Sequence, residues 1–326
     1  MKIISQNFKL LAVFLLAITF TSCSDDDDNG TTTPTTVVDI ALANNLTSLA
    51  AALQATDLVT TLQGDGPFTV FAPTNAAFAD LLAATGLDLD NLSTTEEDLV
   101  RNILLNHVII GETINSTALV TAGSGYASTG ATGPNGENLS LYFNTTSGVV
   151  LNGVSTVDNA DNMASNGIVH IVDEVIGLPT IATFATTNPA LSTLVDALVY
   201  ADTGAPTVPY IETVSDATAG PFTVFAPTND AFSGLLTELN VSGLSDLGTE
   251  TVNAVLLYHI VNANVQSSQL PNGTVTTLGG DITADNTAFT LTDANGRVSN
   301  IIVSLVDIQS MNGVVHVIDK VILTPQ

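Results

Sequence analysis

The stretch GPFTVFAPTN, residues 66–75, recurs letter for letter at residues 220–229. Identity of this length within one chain indicates an internal duplication, and the rest of the sequence falls into register around it. Residues 68–71 are β-formers and predict a short strand that ends at Pro73. Thr74 is a suitable N-cap for a following helix. We therefore predict a strand, a tight turn and a helix start in each copy, with the phenylalanines in the core.

The segments around the two copies occur in the same order. In the first repeat, residues 40–62 have the spacing of one or two amphipathic helices, and a further helix is expected to start at Thr94 or Thr95. Residues 123–157 alternate turn-formers with short β-prone pieces, which predicts a meander or hairpins. The apolar run at 168–176 predicts a strand in the centre of a sheet.

The two repeats differ most in front of the second copy. Leu53 lies 13 positions before Gly66, whereas Leu198 lies 22 positions before Gly220, so the second repeat has roughly nine extra residues within 201–219. A loop specific to one domain is a better candidate for ligand contact than a shared scaffold, which makes Tyr210 a candidate binding residue. Tolerated drift in loop length is the alternative.

The charge balance is strongly acidic. The chain has 32 Asp and Glu against 5 Lys and Arg, for a formal net charge of -27. We predict no nucleic-acid partner, because recognition of nucleic acid needs clustered basic side chains. Two explanations of the acidity stay open: solubility through self-repulsion, or divalent-cation binding by carboxylates from separate loops. No residue set predicts a metal site, and no cofactor is indicated.

Residues 1–22 have the pattern of an export signal, with two lysines before an apolar run at 10–20 that is too short to span a membrane. Cys23, the sole cysteine, follows directly. The sequence FTSC at 20–23 resembles a bacterial lipobox, in which the cysteine becomes the lipidated N-terminus. We therefore predict a lipoprotein signal peptide and a membrane anchor at Cys23, with a free thiol near a tail as the alternative.

Residues 23–36 are predicted to be an acidic tether rich in Thr and Pro. Four aspartates follow Ser24, and a flexible spacer of Gly, Thr and Pro comes next. An acidic run after a lipidated cysteine resembles the surface-export signal of Bacteroidetes lipoproteins. The resemblance implies an outer-membrane lipoprotein exposed at the cell surface, and a merely solvated tether is the alternative.

Four histidines are the natural starting point for a catalytic or metal site: His107, His170, His259 and His316. Each lies in an apolar run, which is typical of a core side chain whose ring nitrogens bind backbone groups. No His pair has the spacing of a zinc site, and no nucleophile elbow or phosphate loop occurs. We predict that the protein is not an enzyme, although the many carboxylates leave a glycoside-hydrolase pair open.

Taken together, these motifs resemble the fasciclin domain family over nearly everything after the tether. The decapeptide resembles the first family signature, NGVVHVID at 312–319 and its counterpart at 166–173 resemble the second, and Tyr258-His259 is similar to the Tyr-His pair between them. The resemblance implies an α+β fold with tandem domains at 37–179 and 180–326, each a wedge-shaped β-sandwich flanked by helices.

The resemblance also implies adhesion to cells, matrix or surface polysaccharide. The candidate adhesion residues it supplies are Tyr258 and His259, with Asn106 and His107 as a weaker pair because asparagine replaces the tyrosine. Asp173 and Asp319 end the closing signature of each repeat and are further candidates. Hydrogen bonding to a nearby turn is the alternative for these two aspartates.

Three functions are consistent with the sequence. The first is a surface adhesion lipoprotein that binds protein or polysaccharide weakly and multivalently. The second is a glycan-binding accessory lipoprotein of a polysaccharide-uptake system, which the absence of Trp and the presence of only five Tyr disfavour. The third is a structural envelope protein without a dedicated ligand.

Overall fold

A computed structural model describes residues 35–325 of the chain. The predicted signal peptide, Cys23 and most of the tether lie outside the described residues. Thr35 and Thr36, at the end of the predicted tether, already contact the first repeat. The Thr35 carbonyl accepts a hydrogen bond from the backbone of Ser165, and Thr36 forms a capping box with Asp39.

Helices dominate the beginning of the first repeat and strands its end. The helices are α1 (Val37–Ala43), α2 (Thr47–Ala55), α3 (Val59–Leu62), α4 (Asn75–Thr85), α5 (Thr94–Leu105) and α6 (Ser116–Ala122). The strands are β1 (Phe68–Pro73), β2 (Val108–Ile110), β3 (Ser124–Thr132), β4 (Asn138–Asn144), β5 (Val150–Leu151), β6 (Ser155–Ala164) and β7 (Gly167–Val172). Residues 40–62 contain parts of three helices rather than one or two, because Asn45 and Asp57 take the left-handed conformation that ends a helix.

The second repeat follows a similar order, and its decapeptide strand and closing strand are as long as those of the first. Its helices are α7 (Ile181–Thr187), α8 (Ser192–Asp202), α9 (Tyr210–Ser215), α10 (Asn229–Leu239) and α11 (Thr249–Leu257). Its strands are β8 (Phe222–Pro227), β9 (Ile260–Val261), β10 (Gly273–Thr276), β11 (Asp281–Asp285), β12 (Thr290–Thr292), β13 (Val298–Asn300), β14 (Ile308–Ser310) and β15 (Gly313–Ile318).

The duplicated decapeptide forms the predicted strand, turn and helix start in both repeats. The hydroxyl oxygens of Thr74 and Thr228 accept hydrogen bonds from the backbone of Ala77 and Ala231 and so cap α4 and α10. Each decapeptide strand pairs in parallel with the closing strand of its own repeat, β1 with β7 and β8 with β15. The decapeptide therefore lies at the centre of each domain.

The sheets differ between the repeats. In the first, the strand order β2-β1-β7-β6-β5-β4-β3 is continuous, and the segment from β3 to β6 is the predicted antiparallel meander. In the second, the strands form two sheets, β14-β15-β8-β9 and β10-β11-β12-β13. The chain that corresponds to the long β6 is divided there into β13 and β14 by a short 3-10 turn at Val303–Leu305. The closing strand is central in both, as predicted.

Two glycines allow the closing strands to approach the decapeptide strands. A Cβ on Gly167 would lie 2.2 Å from the carbonyl oxygen of Phe68, and a Cβ on Gly313 would lie 2.1 Å from that of Phe222. These contacts are with backbone, which cannot rotate away as a side chain can. Glycine is therefore required at the start of β7 and β15.

The two repeats contact each other within the described residues. The backbone amide of Gln309 donates a hydrogen bond to Ser140 Oγ at 3.0 Å. The Tyr126 ring packs edge-on against the Phe184 ring, with the two ring centroids 5.5 Å apart. The Tyr126 hydroxyl also accepts from Asn188 Nδ2 at 3.1 Å. Apolar and polar contacts thus join the domains in addition to the short linker.

Candidate functional site

His107 and His259 are buried connectors between a helix and the end of their repeat. His107 Nδ1 donates to the Ile103 carbonyl at 2.7 Å, and Nε2 accepts from the Ile176 amide at 2.8 Å. His259 repeats this arrangement with Val255 and Ile322. Burial lowers the pKa of both imidazoles to about 4, against the smaller opposing effect of the backbone hydrogen bond. Both rings are therefore neutral at pH 7 and have no free nitrogen.

The residues before these histidines are also buried, although they differ in kind. Asn106 is 0% exposed and its Nδ2 donates to the Gly177 carbonyl at 2.9 Å. Tyr258 is 8% exposed and its ring lies against the backbone at Gly279 and Gly280, where a Cβ would come within 2.3 and 2.4 Å of it. The four residues of the two predicted adhesion pairs are thus inside the fold, and their role in adhesion stays a prediction.

His170 and His316 belong to a second pair of networks, which sequence reasoning missed. His170 Nδ1 accepts from the Asp161 amide at 3.2 Å, and Nε2 donates to the Ile114 carbonyl at 2.9 Å. The Asp161 carboxylate in turn accepts from the amide and hydroxyl of Ser116. Burial lowers the pKa of His170, and the hydrogen bond to Ile114 and the charge of Asp161 oppose this shift.

The second repeat reproduces this network with Ser267, Asp307 and His316. Each group holds a serine, an aspartate and a histidine, as a hydrolase triad does, but the serine hydroxyl bonds the aspartate rather than the imidazole. The arrangement positions loops and does not prepare a nucleophile. A sequence signal did exist, since both aspartates precede their histidine by nine residues.

Asp173 and Asp319 bind backbone groups of neighbouring strands. Asp173 Oδ1 accepts from the Thr156 amide in β6 at 2.6 Å. Asp319 accepts from both the amide and Nδ2 of Asn300 in β13 at 2.7 Å. Thr156 lies on the strand next to β7, and Asn300 lies on β13, which meets β15 at a single bridge between Ile301 and Ile318, so neither partner is in a nearby turn. Asp319 is exposed and Asp173 half-buried, so both carboxylates can still be reached from solvent.

The extra residues of the second repeat form the end of α8, a loop and α9. The Asp202 carboxylate accepts from the amides of Tyr210 and Ile211 at 2.7 and 3.0 Å, which holds the start of α9 against the end of α8. Tyr210 is buried, and its hydroxyl donates to Asn253 Oδ1 at 2.8 Å. Burial, with the charge of Asp202, raises the pKa of Tyr210 to about 12, so this hydroxyl remains a donor.

A pocket of about 520 Å³ lies beneath this insertion. Its residues come from the insertion, the decapeptide strand, α11, β9 and the segment after β10: Ala205, Pro206, Thr207, Val208, Tyr210, Thr213, Val214, Phe222, Val224, Asn253, Leu257, Ile260 and Leu278. None carries a charge, and most are apolar. Of the sequence-predicted binding residues, Tyr210 is the one that lines this pocket.

The corresponding part of the first repeat is filled. Phe68 and Val108 are buried, whereas their counterparts Phe222 and Ile260 are half-buried and face the pocket. The cavity that touches Val70 and Val108 in the first repeat has a volume of only about 20 Å³. The pocket is therefore a difference between two domains that share the same decapeptide.

Two further observations concern residues 35–325. No three side chains among His, Cys, Asp and Glu in this range are grouped so that they could hold a metal ion. None of the helices in the same range is both long and apolar enough to cross a membrane.

Comparison with known proteins finds relatives in bacteria and animals. Protein sll1483 of Synechocystis sp. is 39% identical over 142 residues, which are 43% of this chain and 72% of that protein. The immunogenic protein MPB70 of Mycobacterium bovis is 35% identical over 149 residues, 44% of this chain and 69% of MPB70. Human periostin is 28% identical over 244 residues, 74% of this chain, and the match spans only 26% of periostin.

Among solved structures, a FAS1 domain pair from the insect cell adhesion molecule fasciclin I aligns with a TM-score of 0.47 and 18% identity. The alignment covers 88% of this chain and 95% of that one.

The family model of the fasciclin domain matches this chain twice, at residues 44–179 and 189–324. Each match contains one decapeptide, two of the four buried histidines and one closing strand. The predicted tandem α+β architecture is confirmed, and the chain belongs to the fasciclin domain family.

Proposed function

We propose that this chain is a membrane-anchored adhesion protein, displayed at the cell surface, whose two fasciclin domains bind protein or polysaccharide on neighbouring cells or in matrix. The observation that carries the proposal is the presence of two complete fasciclin domains in tandem. A domain pair of the same family comes from an insect cell adhesion molecule.

The anchor in this proposal is a lipid on Cys23, which follows the predicted export signal and is the first residue of the acidic tether at 23–36. Two domains on one tether allow weak contacts to add through effective concentration. This arrangement favours avidity at a surface over a single tight site.

Within each domain, the buried pairs Asn106-His107 and Tyr258-His259 would support adhesion by holding surface loops in place. Direct contact with a partner would come from groups that solvent can reach. Asp173 and Asp319, the last residues of the two closing signatures, are such groups. A carboxylate can accept hydrogen bonds from a protein or a sugar hydroxyl.

The proposal is tested with cells that lack the gene and are complemented with the natural chain or with Cys23→Ser. Loss of the gene is expected to reduce attachment to matrix-coated surfaces and biofilm mass several-fold. The natural chain should restore both, and Cys23→Ser should not, because the protein would no longer be anchored. Protease treatment of intact cells should degrade the natural chain. Unchanged attachment in the deletion strain would overturn the proposal.

A polysaccharide-uptake role has less support from the described residues. Aromatic platforms for sugars need an open ring face, whereas Tyr126 and Tyr200 are half-buried and Tyr142, Tyr210 and Tyr258 are buried. Affinity gels with surface polysaccharides would detect such binding as retardation that Tyr210→Ala abolishes. If attachment and retardation are both negative while display is normal, a structural envelope role remains.

A further inference from the structure

We propose that the pocket of the second domain, bounded by the insertion at 201–219, binds an uncharged, largely apolar small molecule of the size and character of a medium-chain fatty alcohol. This inference goes beyond adhesion and does not depend on it. It rests on the volume, the lining and the charge environment of the pocket.

The volume fits a small-molecule site. At about 520 Å³ the pocket lies within the range of roughly 300–1,000 Å³ that is typical of such sites. The cavity of the first domain at the matching strand, at about 20 Å³, holds no more than a water molecule. The decapeptide strand is identical in both domains, so the insertion and its surroundings create the space.

The lining selects against charged ligands. No Asp, Glu, Lys or Arg is among the lining residues, and transfer of an unpaired ion from water into such a pocket is strongly unfavourable. Asp202, a carboxylate of the insertion, is occupied by two backbone amides of α9. An anion would also approach a chain of net charge -27 against repulsion.

The polar groups of the pocket are few, which limits the polar part of a ligand. The Tyr210 hydroxyl is committed to Asn253, and the Thr213 hydroxyl donates to the Pro209 carbonyl at 2.6 Å. Among residues 35–325, the Asn253 amide nitrogen and the Thr207 hydroxyl have no hydrogen-bond partner. A hydroxyl or carbonyl oxygen on the ligand could accept a hydrogen bond from either group, as in an alcohol or a ketone.

The mouth of the pocket supplies residues that can be changed without disturbing the core. Val208 and Leu278 line it and are 60% and 48% exposed. Val303, in the same domain, is 62% exposed and does not line it. The double variant Val208→Asp/Leu278→Asp places charge at the entrance, and the double variant Val303→Asp/Val298→Asp is the matched control, because Val298 is 43% exposed on β13.

The full chain and both double variants are titrated with the neutral apolar dye N-phenyl-1-naphthylamine, followed by displacement with 1-dodecanol or dodecanoate. The natural chain and the control should bind the dye equally, and the pocket variant should lose at least tenfold in affinity. Dodecanol should displace the dye at a concentration at least tenfold lower than dodecanoate.

Three results would overturn the inference: no saturable dye binding by the natural chain, equal binding by both double variants, or preferential displacement by dodecanoate. Light scattering tests the alternative that a second copy of the chain occupies the pocket, because it measures the oligomeric state. If the natural chain is a dimer that only the pocket variant dissociates, the pocket holds a second copy of the chain and the inference is wrong. Thermal unfolding of each variant shows whether the fold is intact.

Discussion

The two fasciclin domains of this chain contain the same ten-residue strand, turn and helix start, yet the first phenylalanine of that stretch has two different environments. Phe68 is 6% exposed in the core of the first domain, and Phe222 is half-buried at a pocket of about 520 Å³ in the second. Sequence identity in the decapeptide therefore preserves the fold but does not fix what surrounds it.

The elements that the domains share are those that satisfy buried polar groups or allow close backbone contact. Each domain has a threonine cap, two buried neutral histidines and a glycine at the start of the closing strand. Three elements differ between the domains: the insertion at 201–219, the divided sheet and the buried residue before the first histidine, which is Asn106 in one domain and Tyr258 in the other. The comparison indicates that the duplicated domains kept these shared elements and that the structure around the decapeptide diverged.

The largest expected effect comes from the shared glycines. Gly167→Ala and Gly313→Ala would each bring a methyl group within about 2.2 Å of a carbonyl oxygen of the parallel neighbour, as the ideal positions of 2.2 and 2.1 Å show. The strands must separate, so we expect each substitution to lower the free energy of unfolding by about 3 kcal/mol or more. Urea unfolding monitored by circular dichroism measures the loss.

Gly234→Ala is the matched control for these two variants. Gly234 lies within α10, and a Cβ there has open space around it. Alanine should stabilise the helix by about 0.5–1 kcal/mol, since glycine is the poorer helix former. Wild-type stability in either Gly167→Ala or Gly313→Ala would show that the close strand contact is not a requirement of the fold.

A reciprocal exchange at Asn106 and Tyr258 tests the most specific difference between the domains. Tyr258→Asn removes a buried ring that packs against Gly279 and Gly280, and should cost about 3 kcal/mol through the cavity it leaves. Asn106→Tyr places a ring at a position that is 0% exposed, and it removes the hydrogen bond to the Gly177 carbonyl. This substitution should lower the free energy of unfolding by about 2 kcal/mol or more. Thermal and urea unfolding measure both.

Tyr258→Phe is the control for this exchange, because the Tyr258 hydroxyl has no hydrogen-bond partner within the described residues. Its stability should stay within about 0.5 kcal/mol of the natural chain. If Tyr258→Asn instead leaves stability unchanged and reduces only attachment, then this position acts as a contact residue and its burial is not its function.

Many of the elements that the two domains share could be predicted from the sequence, because their signals lie within a few neighbouring residues. Thr74 and Pro73 mark the turn between β1 and α4, and the apolar runs around His107 and His170 predict buried imidazoles bonded to backbone. These features follow from residue type and short spacing. The meander at 123–157 likewise follows from alternating turn and strand residues.

The remaining features depend on contacts between distant residues, which a single sequence does not show. Ser116 lies 45 residues before its partner Asp161, and the different burial of Phe68 and Phe222 arises from neighbours outside an identical stretch. The difference in length between the repeats predicts the insertion, and Tyr210 lies in it, where its role in binding stays a prediction. Its buried hydroxyl and the pocket beside it required the fold.

A further prediction is a pH dependence of stability shared by His107 and His259. Burial holds the pKa of both near 4, below the value of about 6.5 for an unfolded chain. As the pH falls below 6.5, the unfolded state takes up protons that the folded state does not, so stability declines until the pH approaches 4. Between pH 7 and pH 5 each histidine should contribute a loss of about 2 kcal/mol.

Protonation of the many carboxylates changes the total charge over part of this range, and this background is common to the natural chain and its variants. We therefore compare the pH 7 to pH 5 difference in unfolding free energy for the natural chain, His107→Gln and His259→Gln. Glutamine cannot titrate, so each variant should show a pH dependence that is smaller by about 2 kcal/mol, and by a similar amount in both domains. An unchanged pH dependence in both variants would mean that the imidazoles are not held neutral. A smaller pH dependence in only one variant would mean that the two imidazoles, which have equivalent hydrogen-bond partners, differ in their exclusion of water.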